Sequence, residues 1–245
     1  MLPKEHPEYI FRIDTQPQFA NDLNNVDVSS PELFIGGKTK NIEMLKSFSN
    51  LNKLWIHTVN QAEFNAILSI VNPNMLYIYE LRVNDLSILS SLTNVEILAL
   101  EWNTKANNLW DLSNNISLKY LSIKDFSKLN DISPLQNNKR LEILELSGGE
   151  TNQLKLDNLE SLRTLRNLKY LGLSNIKVQD ESLEPISDLK ELQELAISNQ
   201  FPTEEYARLS VKLPNTKCKY FQPFIYLLSS IGDEDVMVVG KRKPF

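Results

Sequence analysis

The sequence predicts an α/β solenoid, in which parallel strands stack into one sheet and short helices return the chain along the opposite side. Two observations lead to this fold class. A pattern of the form Leu-x-x-Leu-x-Leu recurs along the chain, and apolar residues at helical spacing lie between its copies. Self-similarity at a period of roughly 20–50 residues is the signature of a repeat architecture, because each unit can bury its apolar side only against its neighbours.

Five central copies carry the leucine pattern most clearly. Their first leucines are Leu92, Leu118, Leu141, Leu165 and Leu189. Weaker copies lie upstream around Leu33, Leu54 and Leu76, and a degraded copy follows at Lys219-x-Phe221. Successive strand positions lie between 21 residues (33 to 54) and 27 residues (144 to 171) apart. About nine strands are therefore expected.

The alternation within each copy assigns the two sides of the sheet. In Leu98-Ala99-Leu100 the leucines point to one side and Ala99 to the other, because side chains alternate along a strand. Leucines of strands stacked about 4.8 Å apart then form a continuous core. Short amphipathic helices are predicted at Gln61–Leu68, 157–166, 181–189 and 203–209. Strands on one side and helices on the other bend the stack into a horseshoe with the sheet on its concave face.

The period and the pattern resemble those of leucine-rich repeats over about residues 30–222. The phrase Asp131-Ile132-Ser133-Pro134-Leu135, which precedes the copy at Leu141, is similar to the short repeats of bacterial internalins. The resemblance implies a bacterial protein that binds other proteins. One departure stands out, because the family usually places asparagine three residues after the second strand leucine. The residues at that position are Asn103, Phe126, Gly149, Ile176 and Gln200, which predicts irregular turns.

Three regions are expected along the chain. Residues 1–30 form an N-terminal cap or leader, in which the alternating run Tyr9–Ile13 adds a strand at the edge of the sheet. Residues 31–222 form the repeat array. Residues 223–245 form a C-terminal cap with a further strand at 235–239, followed by the basic run Lys241–Lys243, whose expected role is solubility.

Composition argues against several classes of partner. The net charge is −5, so the chain lacks the basic surface that nucleic-acid binding requires. No stretch approaches the roughly 18 apolar residues of a membrane span. Cys218 is the only cysteine, so no internal disulfide is expected. Residues 1–8 contain no apolar run of signal-peptide length, which predicts a cytoplasmic protein, whereas prior removal of a signal peptide would place it outside the cell. We also expect the protein to be a monomer.

The sequence predicts neither a catalytic site nor a cofactor or metal site. The only histidines are His6 and His57, and the predicted stack puts Cys218 roughly 30 Å from His57, too far for a nucleophile and its base. No Cys/His spacing suits zinc, and neither glycine pair belongs to a phosphate-binding loop. Glu101 and Glu145 fall about 10 Å apart on an open face, and not in the enclosing pocket that a catalytic carboxylate needs.

Aromatic residues gather at the outward strand positions of the N-terminal repeats. The predicted partner-binding residues are Phe34, Trp55, His57, Tyr77, Tyr79, Glu101, Trp102 and Lys124. Exposed aromatics are typical of interaction hot spots. Two other interpretations stay open: residues 1–30 cover these aromatics, or a shift of one residue turns them into the core. A further apolar column is expected to line the edge of the core: Met75, Ile97, Tyr120, Ile143 and Tyr170.

Several functions compete on this sequence. The leading hypothesis is a cytoplasmic, non-enzymatic module that binds another protein through the concave face. An immunity or antitoxin-like inhibitor of a toxin is one concrete version, since an acidic chain suits a basic partner. A secreted or surface adhesin-like protein is an alternative that requires a signal peptide and an anchor. An enzyme is the third class, and it requires a pocket with converging titratable groups.

Overall fold

The computed structural model describes residues 3–4, 6–228 and 234–241, and its main element is one parallel sheet. The described strands are, in chain order, β1 (Glu32–Gly36), β2 (Lys53–Asn60), β3 (Met75–Arg82), β4 (Ile97–Asn103), β5 (Tyr120–Phe126), β6 (Ile143–Ser147), β7 (Leu154–Leu156), β8 (Tyr170–Ser174), β9 (Ile176–Val178), β10 (Glu194–Ile197), β11 (Phe224–Leu228) and β12 (Glu234–Val238). Eight of them form a single sheet in the order β1-β2-β3-β4-β5-β6-β8-β10. Every neighbouring pair in that sheet is parallel. The predicted α/β solenoid is confirmed.

Short helices carry the chain back between strands. The α-helices are α1 (Pro7–Ile10), α2 (Gln61–Leu68) and α3 (Thr203–Lys212). The described 3₁₀ helices are Ile13–Thr15, Leu23–Asn25, Ile42–Ser47, Ser87–Ser91, Ser133–Asn137, Glu160–Thr164 and Glu184–Asp188. The prediction of helices at α2 and α3 is confirmed. The predicted amphipathic helices over 157–166 and 181–189 are instead single 3₁₀ stretches, because short repeats leave room only for one tight turn.

The inward strand positions form one core. Neighbouring strands pair leucine with leucine, so that Leu76, Leu98, Leu121, Leu144 and Leu171 follow one another in register. Each of these side chains is at most 1% exposed. A second inward position, two residues later, is filled in the same way by Ile78 and its counterparts. The alternation read from the sequence is therefore confirmed strand by strand.

Asparagine side chains join neighbouring turns at two levels. Asn103 donates from Nδ2 to the carbonyl of Val83 (2.8 Å) and accepts from the backbone N–H groups of Lys105 and Ala106. On the helical side, Asn115 donates to the carbonyls of Leu89 (2.8 Å) and Leu92 (3.0 Å). Its Oδ1 accepts from the indole Nε1 of Trp110 at 2.7 Å. Buried Asn115 thus links two turns and one tryptophan, in a role that the leucine pattern did not reveal.

The C-terminal end departs from the prediction at one strand. The expected ninth strand at Lys219-x-Phe221 is wrong, because the N–H of Phe221 bonds the carbonyl of Cys218 in a turn, and only Lys217 bridges β10. The further strand predicted at 235–239 is confirmed as β12, which pairs antiparallel with β11. Lys241 pairs with Glu181, while residues 242 and 243 of the predicted basic run lie outside the described residues.

The Asn115 bonds allow a direct test of how the turns are held. Asn115→Ala removes three hydrogen bonds and leaves the buried indole N–H of Trp110 without its acceptor, so the free energy of unfolding is expected to fall by about 3 kcal/mol. Asn114→Ala, at the exposed neighbour, is expected to change it by less than about 0.5 kcal/mol. Urea denaturation followed by circular dichroism measures both. Equal effects of the two substitutions would contradict this role of Asn115.

Candidate functional site

The strand register brings the predicted binding residues together on five neighbouring strands. The central outward column runs in register through Phe34, Trp55 and Tyr77 to Ala99. The outer column, two residues further along each strand, pairs His57 with Tyr79, then continues through Glu101 and Lys124. Trp102 follows Glu101 at the rim of the sheet. All eight predicted residues therefore belong to one continuous surface of the repeat array.

Part of this surface is covered by residues 6–16, which we name the crossing segment. The Phe11 ring stacks on Tyr77 (centroids 5.6 Å apart) and meets Trp55 edge to face (5.8 Å). At its other end, the His6 ring packs edge to face on Tyr170 at 5.2 Å. The run Tyr9–Ile13, predicted as an edge strand, therefore forms α1 and a 3₁₀ turn across the concave face. Proline at the first helical position and apolar side chains facing the sheet favour this arrangement over strand pairing.

The structure corrects the placement of Trp55. Its side chain is 0% exposed, because Phe11 covers it on one side and the Lys53 ammonium lies 4.2 Å from its ring centroid. Trp55 is therefore not directly accessible to a partner while the crossing segment is in place. Of the interpretations left open by the sequence, the one in which residues 1–30 cover the aromatic side chains is correct for Trp55. The apolar column that was expected to line the edge of the core is also largely buried. Three of its members, Ile97, Ile143 and Tyr170, are only 3–5% exposed.

An accessible line of aromatic rings remains beside the crossing segment. We name it the aromatic row and define it by Phe34, His57, Tyr79 and Trp102. Successive ring centroids are 4.7, 5.1 and 5.6 Å apart. Phe19, which the sequence analysis did not single out, extends the row by packing edge to face on Phe34 at 4.9 Å. Trp102 is 40% exposed and ends the row at the rim.

Trp102 occupies this rim position in a left-handed backbone conformation. Its φ is 63°, and the equivalent residues of neighbouring repeats, Thr58, Glu80 and Asp125, have φ of 50°, 58° and 54°. Left-handed backbone costs a residue with a Cβ atom roughly 1–2 kcal/mol relative to the right-handed helical region. The conformation is thus a feature of the repeat, and Trp102 differs from its three counterparts in being a large apolar side chain that is 40% exposed.

A cleft of about 750 Å³ separates the crossing segment from the outer column. Inside it, the Tyr77 hydroxyl donates to Glu101 Oε2 at 3.0 Å, and Lys124 Nζ lies 3.0 Å from Glu101 Oε1. Burial, reinforced by the Glu101 carboxylate, raises the pKa of Tyr77 far above its ordinary value. Burial acts to lower the pKa of Lys124, but the bond and ion pair with Glu101 outweigh it and raise the pKa. The cleft therefore holds a neutral phenol and a paired lysine.

Two buried nitrogen atoms of the described chain lack a hydrogen-bond partner where the crossing segment meets the sheet, one on the sheet and one in the segment itself. Among the described residues, Trp55 Nε1 and His6 Nε2 have no hydrogen-bond partner, although Glu145 Oε2 lies 3.5 Å from His6 Nε2. A buried polar atom without a partner costs about 1–3 kcal/mol. Lys53, only 9% exposed, forms no ion pair with any described carboxylate, and burial lowers its pKa against the weaker opposing effect of Glu32. The fit of the crossing segment over this part of the face is thus incomplete.

The described residues also bear on metal binding, thiol chemistry and membrane insertion. The described residues hold no group of three or more His, Cys, Asp or Glu side chains placed to bind a metal ion. Burial raises the pKa of the Cys218 thiol to about 11. Among the described helices, none combines the length and apolar character needed to cross a bilayer.

The two histidines predict a pH dependence of stability. Burial lowers the pKa of His6, against Glu145 and Glu8, and lowers that of His57, against Glu80 and Glu101. Because both pKa values lie below about 6.5 in the folded chain, the unfolded chain binds more protons below that pH. The neutral imidazoles therefore contribute stability above about pH 6.5, and this contribution is lost as the pH falls through their folded-state pKa values.

The urea midpoint is accordingly expected to be lower at about pH 5.5 than at about pH 7.5. His6→Asn/His57→Asn should flatten this difference, since Asn at position 6 still accepts the capping bond from the Glu8 N–H. Carboxylates with lowered pKa lose their contribution only at lower pH. An unchanged pH dependence in the double variant would show that other groups cause it.

Comparisons with known proteins identify the fold. No protein-family model and no curated protein matches the chain. Internalin C2 of Listeria monocytogenes is 18% identical, with a TM-score of 0.50 over 70% of this chain and 71% of that one. Internalin F of the same organism is 21% identical (TM-score 0.49, 79% and 61% covered), and a plant peptide hormone receptor is 15% identical (0.40, 78% and 39%). The likeness to internalin C2, together with the eight-stranded parallel sheet, confirms a leucine-rich-repeat fold that resembles the internalins.

Proposed function

We propose that this chain is a non-enzymatic protein-binding module that contacts its partner through the aromatic row. The observation that carries the proposal is the line of four rings across four strands, ending in the 40% exposed Trp102. Tyrosine and tryptophan dominate binding hot spots, because they bury large areas while few torsions become fixed. Adjacent Glu101 and Lys124 supply one charge of each sign at the edge of the row.

The arrangement of the titratable groups favours binding over catalysis. Glu101 is bonded to both Tyr77 and Lys124, so each of the three has a structural partner. A general base or nucleophile needs a group that is free to exchange a proton near neutral pH. The raised pKa of Tyr77 and the raised pKa of Lys124 keep both groups protonated there. The bonded network of Tyr77, Glu101 and Lys124 therefore suits a rigid edge of a binding surface, against which a partner can pack.

We expect the partner to be a folded protein or an extended segment of one. We expect the chain itself to be a bacterial protein that acts as a monomer in the cytoplasm. A standard interface buries about 800 Å² per partner, which an eight-stranded face can supply. An inhibitor of a toxin, in the manner of an immunity protein, fits the net charge of −5 if the toxin is basic. A secreted or surface adhesin-like protein would use the same aromatic row, but that function requires export of the chain.

The test is capture of a partner by the wild-type chain and its loss on Tyr79→Ala/Trp102→Ala. Tyr79 and Trp102 lie on the outward side, so the double variant is expected to remain folded by circular dichroism and to lose at least about 2 kcal/mol of binding, or about thirtyfold in Kd. Ile116→Ala/Val211→Ala is the matched control, because both residues are exposed and apolar (58% and 79%) but lie outside the row.

A photo-reactive amino acid at position 79 or 102 then shows whether the captured protein touches the row itself. Cross-links at these positions, and none at position 211, would support the proposal. Binding that survives the row variant and fails in the control variant would place the interface elsewhere and overturn it.

A further inference from the structure

The covered part of the concave face has the properties of a second binding surface. We name it the floor and define it by Lys53, Trp55, Tyr77, Ile97 and Ala99. We propose that the floor binds a partner's peptide segment carrying an aromatic side chain and a carboxylate, and that the crossing segment occupies this site as a built-in competitor. The inference rests on the proposed function, because it names the kind of partner segment that the same face takes.

The crossing segment docks on the face as a separate piece of chain. The backbone N–H groups that bond within residues 6–16 all reach carbonyls of residues 3–13, and the first described bond to a repeat is from Ala20 to Phe34. The apolar cluster under the segment is also distinct from the leucine core of the repeats. The segment is therefore held mainly by side-chain packing, in the manner of a bound peptide, and its release leaves the repeat core intact.

Phe11 marks the aromatic subsite of the floor. Its ring lies 5.6 Å from that of Tyr77 and 5.8 Å from that of Trp55, and the Lys53 ammonium lies 5.6 Å from its centroid. Phe11 itself is 7% exposed. The subsite thus encloses one aromatic side chain between two others, with a cation at its side.

The floor offers hydrogen-bond donors that the crossing segment does not use. Trp55 Nε1 has no acceptor within the described chain, and no described carboxylate forms an ion pair with Lys53, whose ammonium lies over the Trp55 ring. Asp14, a carboxylate of the segment, is instead paired with Arg12. A ligand that brought a carboxylate next to its aromatic ring would satisfy groups that Phe11 leaves unpaired. The additional hydrogen bonds and ion pair would let a partner segment bind the floor more tightly than Phe11 does, and so displace the crossing segment.

Release of the crossing segment can be followed through Trp55 in the full chain. In a Trp102→Phe background the remaining tryptophans are Trp55 and the buried Trp110, so acrylamide quenching reports on the floor. Phe11→Ala removes the anchor, and quenching is expected to rise several-fold. Ile13→Ala is the matched control, because Ile13 belongs to the same segment but is 85% exposed, and it should leave quenching unchanged.

A synthetic peptide of residues 3–11 then probes the vacated floor. We expect the Phe11→Ala chain to bind this peptide in calorimetry, and the wild-type and Ile13→Ala chains to bind it far more weakly, since their own segment is present at high effective concentration. The peptide with a free C-terminal carboxylate, next to its phenylalanine, should bind about tenfold more tightly than the C-terminal amide. Lys53→Met in the Phe11→Ala chain should abolish that preference.

Opposite outcomes overturn the inference. Unchanged quenching and no peptide binding in the Phe11→Ala chain would show that the floor is not a site, and equal binding of acid and amide peptides would remove the carboxylate from the proposal. A wild-type dimer that dissociates on Phe11→Ala would assign the floor to the segment of a second copy instead.

Hydrogen exchange of the wild-type chain tests the inference without any substitution that could alter the fold. Amides of residues 9–11 should exchange roughly a hundredfold faster than those of β3 to β5, because the segment opens locally while the sheet opens only on unfolding. Exchange of both at the same rate would make the segment a fixed part of the fold and overturn the inference. None of these measurements uses a natural partner, so a failure here is distinct from a failure of the aromatic row to bind one.

Discussion

The parallel register of the sheet is the constraint on which the rest of this molecule depends. Because side chains alternate along a strand, a column of buried leucines on one side obliges the residues between them to form a column on the other side. Leu76 and Ile78 of β3 enter the core, and Tyr77 and Tyr79 must then face outward. The same rule on each neighbouring strand turns a sequence repeat into a surface. Both the aromatic row and the floor are consequences of it.

An apolar surface produced in this way must meet water, a partner or another part of the chain. Full burial of one large apolar side chain contributes roughly 1.5–3 kcal/mol, so covering Trp55 and Phe11 against each other stabilises the closed arrangement. The unpaired nitrogens of Trp55 and His6 offset part of that gain, at about 1–3 kcal/mol each. Incomplete hydrogen bonding therefore weakens the docking of the crossing segment, whereas the leucine core is held by a continuous set of buried apolar side chains.

Most of the fold and part of the site could be predicted from the sequence, for a physical reason. Local alternation and a repeated period determine which residues share a column, and the columns through Tyr77 and Tyr79 are correct. The cover over Trp55 could not be assigned, because it depends on Phe11, which lies 44 residues earlier and outside the repeats. Short apolar runs such as Tyr9–Ile13 fit a strand or a helical turn equally well. The position of the Lys53 ammonium over the Trp55 ring likewise depends on three-dimensional distances that no spacing encodes.

Tyr77 connects the two surfaces. One face of its ring stacks on Phe11, and its hydroxyl bonds Glu101, which in turn holds Lys124 at the edge of the aromatic row. Occupancy of the floor therefore acts directly on the group that positions the charges of the row. A partner that enters both surfaces gains from each, whereas a partner that reaches only the row must leave Phe11 in place. Selectivity then follows from the requirement to displace a covalently attached competitor, since only a segment that meets the unused donors of Lys53 and Trp55 can do so.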